Sequence, residues 1–190
     1  MLDHVFGDAI GALRSALEMA MLERQAVEER FTTDVLLGDT RWETAYSLPG
    51  EGHPPRVQAD VTLLWPTWSQ TAYRSWYLSG ELGEVPAIET EVVFRAQGLD
   101  APPDPAAVAR RMPSTSPPTG RTALEMNGGP TVETSWNADL SIATHAIEVS
   151  YEGSFELHIE ALADGNDLDE LFNMTGGWIS STLVSLGDVV

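Results

Sequence analysis

Hydrophobic positions in the first thirty residues recur every three or four: Leu2, Val5, Phe6, Ala9, Ile10, Leu13, Leu17, Ala20 and Met21. Glu18, Glu23, Arg24 and Glu28 fall elsewhere on the wheel. That period puts the apolar side chains on one stripe, so residues 1–30 read as a single amphipathic helix. From Phe31 the period falls to two. Trp42, Thr44, Tyr46 and Leu48 alternate with Arg41, Glu43, Ala45 and Ser47. Val57, Ala59, Val61, Leu63 and Trp65 alternate with Arg56, Gln58, Asp60 and Thr62, and Ile88, Thr90, Val92, Phe94 and Ala96 alternate with Glu89, Glu91, Arg95 and Gln97. Each run is the pattern of a strand buried on one face. Five antiparallel strands are expected, near 31–37, 41–48, 56–65, 68–78 and 87–97. A tight corner is expected at Trp65-Pro66-Thr67-Trp68, because Pro66 cannot donate a ladder hydrogen bond.

Residues 98–120 interrupt the pattern and hold six of the twelve prolines. A short helix is expected at 105–111, with Asp104 as N-cap and Pro105 at the first helical position, followed by an extended stretch from Met112 to Gly120. Further strands are expected near 121–126, 131–137, 142–151 and 154–162. Asn127-Gly128-Gly129 reads as a hairpin turn. In the last pair, a three-residue turn with Gly153 in the left-handed conformation sets Ile147, Val149 and Tyr151 against Ile159, Leu157 and Phe155. A two-residue turn would set them against polar residues. A terminal helix starts near Asn166 or Asp167, with Leu168, Leu171, Phe172, Trp178, Ile179, Leu183 and Leu186 on its buried stripe and a point of weakness at Gly176-Gly177. The result is an α+β fold: a curved antiparallel sheet of about eight or nine strands, packed on one face by long N- and C-terminal helices. The length suits one domain over 1–190, with the Pro-rich crossover at 98–120 between two sub-halves.

Charge and composition narrow the chemistry. The 190 residues include 29 Asp and Glu against ten basic residues, all arginine, for a net charge of -19, and cysteine is absent. Thiol catalysis, disulfides, cysteine-ligated metals, a Schiff-base lysine and a P-loop lysine are thereby excluded. A basic nucleic-acid surface is excluded by sign. After Arg121 there are twelve carboxylates and no basic residue. Such acidity suits either a salt-rich solvent or a basic partner. No stretch approaches the ~20 apolar residues of a membrane span, and the N-terminus lacks a basic region, so a cytoplasmic protein is expected.

Two groups of residues are candidates for a site. The expected hairpin would place Glu148, Glu156, His158 and Glu160 on one polar face with Glu148 opposite His158. That set could bind a divalent metal or act as acid and base, but a solvated acidic face is the simpler reading. The aromatic run Trp65, Trp68, Tyr73, Trp76 and Tyr77 would put rings on both faces of a hairpin, one for the core and one for a ligand or partner. His145 reads as a core or rim histidine. The stretch 164–170 departs from the calcium-loop pattern at Leu168 and Asp169 and reads as a helix start. No nucleophile motif occurs.

The expected function is a non-catalytic acidic interaction module (an adaptor, small chaperone or immunity-type binder) without cofactor or resident metal. It would present Trp65, Trp68, Tyr73, Trp76, Tyr77, Glu148, Glu156 and Glu160 to a partner protein with a basic surface, and a homo-oligomer is allowed. The element order is similar to that of acidic secretion chaperones, by architecture alone. The alternative is a binder of a small apolar ligand, with its pocket between the curved sheet and the C-terminal helix, as in helix-grip folds.

Overall fold

The computed structural model describes residues 11, 14–16, 18–20, 22, 27–36, 38–50, 54–80, 83–137, 142–157 and 166–190. Described residues between 11 and 22 are helical. The elements that follow are β1 (Val27–Leu36), β2 (Asp39–Ser47), β3 (Val57–Trp65), α1 (Thr67–Ser79), β4 (Ala87–Leu99), α2 (Pro105–Arg111), β5 (Thr115–Pro118), β6 (Ala123–Met126), β7 (Thr131–Trp136), β8 (Ala143–Glu156) and α3 (Asn166–Gly187). The fold is an open, antiparallel α+β sheet in the order β1-β2-β3-β4-β8-β6-β5, with β7 also paired to β8.

Alternation of residue type carries directly into burial. Trp42, Val61, Val92, Phe94, Val149 and Tyr151 are buried on one face. The register sets Tyr46 beside Ala59, Phe94 and Val149, and Thr44 beside Val61, Val92 and Tyr151. Helix α3 closes this face. Trp178 meets Phe94 and Tyr151 edge-on at 5.7 and 5.0 Å, and Phe172 meets Phe155 at 5.1 Å. Edge-to-face geometry suits the aromatic quadrupoles and adds about 0.5–1.5 kcal/mol per pair beyond area burial. The short helix α2 forms as its sequence predicts: Asp104 accepts a hydrogen bond from Ala106 N and Pro105 occupies the first turn.

Four expectations are corrected. The helix expected to continue to residue 30 gives way to β1 at Val27, which pairs with β2 over nearly its whole length. Ladder pairing overrides the helical propensity of the Glu-Arg stretch. The strand expected at 68–78 is helix α1, an aromatic-rich segment that satisfies a 3.6 period equally well. Its start is tied down tertiarily: Asp39 accepts from Thr67 N at 2.6 Å and from Thr67 Oγ1 at 2.7 Å. Ser69 Oγ accepts from Trp65 Nε1 at 3.0 Å and from Ala87 N at 2.8 Å. Pro66, lacking a side-chain acceptor, leaves the orphan Thr67 N–H to Asp39.

The hairpin expected at Glu152-Gly153 does not exist. β8 runs straight through, pairing with β4 from Ala143's end of the strand to Glu156, with Gly153 opposite Thr90. Its other edge is shared end to end by β7, opposite residues 143–148, and β6, opposite Tyr151 and Glu152. Gly153 therefore serves close approach: a Cβ there would lie 3.1 Å from both Ala123 O and Leu124 Cα. Asn127-Gly128-Gly129 is likewise no hairpin turn, since β6 and β7 do not pair and both run antiparallel to β8. It is a jog between them, held by Asn127 N donating to Ser150 O at 2.9 Å and allowed by positive φ at both glycines. Within the proline-rich crossover the extended stretch becomes β5, paired to β6.

Candidate binding site

The site is built from the residues that alternate away from the core. Because directly paired residues share a face, the register lines them up across strands. One row runs Thr32, Glu43, Thr62, Glu91, Glu152 and Glu125 across β1, β2, β3, β4, β8 and β6. The next runs Arg41, Leu64, Glu89 and Ser154. Over these two rows lies an open groove of about 670 Å³, lined by Asp39, Arg41, Thr62, Leu64, Glu89, Glu91 and Glu152. Four carboxylates thus face one guanidinium.

The arginines do not neutralise the row evenly. Arg41 is held by Glu43 at 2.6 Å. Arg95 bridges Glu133 at 2.8 Å and Glu148 at 3.1 Å, stitching β4 to β7 and β8 outside the groove. Among the described residues no basic side chain pairs with Glu91, Glu152 or Glu125, although these three stand on neighbouring strands in direct opposition. Asn127 Nδ2 donates to Glu152 at 2.7 Å, a neutral contact that leaves the charge in place. Directly opposed like charges cost a few tenths to about 1 kcal/mol per pair, so this row is locally unfavourable as it stands. At one end of the groove Asp39, which accepts both hydrogen bonds from Thr67, has its carboxyl held below the usual value, first by the hydroxyl and then by the backbone N–H.

The aromatic candidates separate. Trp65 and Tyr73 are buried and pack edge-on at 6.1 Å, and Trp76 tilts against Tyr73 at 5.6 Å. Trp68 alone of these four turns outward, 41% exposed, with its indole N–H 3.5 Å from Glu89 Oε1 at the groove margin. The Tyr77 side chain lies outside the described ones. The hairpin expected to carry these rings on two faces is instead the end of β3 followed by helix α1, which turns Trp65 and Tyr73 into the core and leaves Trp68 at the rim.

The carboxylate candidates also separate. Glu148 sits opposite Arg95 and Thr131, since residues 143–156 form one continuous strand between β4 and β7. Glu156 lies 4.0 Å from Arg121, away from the groove. His158 and Glu160 lie outside the described residues; among the described residues no group of three or more His, Asp or Glu is placed to hold a metal ion. His145 is half-buried at the rim, its Nδ1 3.0 Å from Thr134 Oγ1. The groove residues Asp39, Arg41, Leu64 and Glu152 were not singled out by sequence. Alternation identifies Glu89 and Glu91 as facing away from the core, but only the register brings Glu152 beside them.

No protein family, curated protein or solved structure matches the chain. No helix among the described residues is long and apolar enough to cross a membrane.

Proposed function

We propose that the chain is a non-catalytic acidic interaction module, of the adaptor, small-chaperone or immunity-binder kind, whose grooved sheet face receives a partner protein with a basic surface. The observation that carries the reading is the Glu91–Glu152–Glu125 row, three opposed carboxylates with no basic side chain paired to them among the described residues, an arrangement in which like charges oppose folding. A basic partner would turn that cost into attraction, and stability given up at a surface is commonly the mark of use. In this reading the N- and C-terminal helices cover the apolar face together, a placement supported by burial of Ala16 in the same core as Ile179 and Leu183. The opposite face is then left open. The apolar-ligand alternative finds less support, since Trp178 and Phe172 interlock with the sheet where its pocket would lie.

The test is the double variant Glu91→Gln/Glu152→Gln titrated with a labelled basic peptide at low and high salt. Binding by the wild type should weaken steeply with salt, and the variant should lose most affinity while unfolding at equal or higher temperature. Equal affinity and equal salt dependence in the two proteins would defeat the reading.

A further inference from the structure

Resting on that reading, we infer that the partner presents an arginine, within an extended basic segment, to Trp68. The indole lines one hollow and contacts a wall residue of the acidic groove. On one side lies the acidic groove, reached through Glu89. On the other lies a hollow of about 400 Å³ on α1, lined by Trp68, Thr71, Ala72, Ser75 and Glu84. An exposed aromatic ring with a carboxylate in each adjoining hollow matches one side chain better than any other. A guanidinium is planar, stacks flat on indole and forks its N–H groups onto carboxylate oxygens, whereas a lysine ammonium or a polyamine meets the ring and the carboxylates only as a point charge, without the stacking or the fork. Nucleic acid is excluded by the sign of the field. Further basic residues of the same segment would run from Trp68 across the strands toward Glu91 and Glu152, along the groove.

Two labelled peptides of one sequence, carrying arginines or lysines at the same positions, distinguish the parts. The wild type should prefer the arginine peptide by roughly three- to tenfold, the range expected for a stacked guanidinium. In Trp68→Ala that preference should vanish, the arginine peptide losing the larger factor in affinity, while a circular-dichroism spectrum like that of the wild type shows the fold intact. Trp68→Phe should keep part of the preference. Both peptides binding the wild type equally, with loss only in Glu91→Gln/Glu152→Gln, would overturn the arginine assignment and leave the acidic face standing. Absence of binding by either peptide would overturn both.

Discussion

Replacing Gly153 by alanine tests the close approach of β6 to β8, which sets Glu125 beside Glu152. The added Cβ would lie 2.8 Å from Leu124 Cδ2 and 3.1 Å from both Ala123 O and Leu124 Cα. The first contact is relieved by a rotamer change, but the other two involve backbone. That backbone is held in place by the pairing of Glu125 with Glu152 and Met126 with Tyr151. Overpacking of this kind costs about 1–3 kcal/mol, offset by roughly 0.4–1 kcal/mol from the less flexible unfolded chain. A net loss of about 1–2 kcal/mol is expected, or a fall of roughly 2–8 °C in melting temperature for a chain of this size. Urea denaturation followed by tryptophan fluorescence measures it. Gly177→Ala is the internal comparison: nothing lies within 4 Å of a Cβ there and the residue is in helix α3. The expected gain is up to about 1 kcal/mol. If Gly153→Ala were as stable as the wild type, the close approach of β6 would be wrong, and with it the placement of Glu125 beside Glu152.

Three further perturbations address other links. Phe94→Ala removes a fully buried ring that meets Tyr151 and Trp178, and a loss of about 3–5 kcal/mol in urea denaturation is expected. Tyr151 is held above the ordinary phenol value by burial, so its neutral form is favoured in the fold. Its contribution is complete below about pH 10 and is lost as the pH rises further. The stability difference between wild type and Tyr151→Phe should therefore shrink in alkali, and a constant difference would refute the burial argument. Asp39 shifts the other way: its lowered folded value means a contribution present above about pH 4 and lost as pH falls through the folded value. Wild type and Asp39→Asn should differ near neutrality and converge in acid, as read by thermal melts across the range.

The parts legible from sequence are those where one local signal agrees with the tertiary outcome. β3 and β4 read correctly because one face is buried against α3 and the other is largely wet, so residue type alternates with the pleat; β2 keeps the alternation at Trp42, Thr44 and Tyr46, although Ala45 and Ser47 are buried as well. Helix α2 reads correctly because Asp104-Pro105 is a self-contained cap. The failures share a cause. In 67–79 the aromatics fit either period, and the deciding group is Asp39, distant in sequence. At Glu152-Gly153 a glycine between two alternating runs looks like a turn, while its real reason is Leu124 on β6. The candidate site suffered most from this. Parity tells which face Glu91 and Glu152 occupy, but their juxtaposition follows from pairing β4 to β8 across sixty residues, which no local pattern encodes.

The most direct test is an amide and indole chemical-shift map of the isotope-labelled protein titrated with an arginine-bearing basic peptide. Perturbations should centre on Thr62, Glu91 and Glu152 with the Trp68 indole, and should collapse at high salt. Shifts confined to the outward-facing Trp136 and Ile142 of the β7–β8 end, or to the packing between α3 and the sheet, would contradict the assignment of the acidic face as the binding surface.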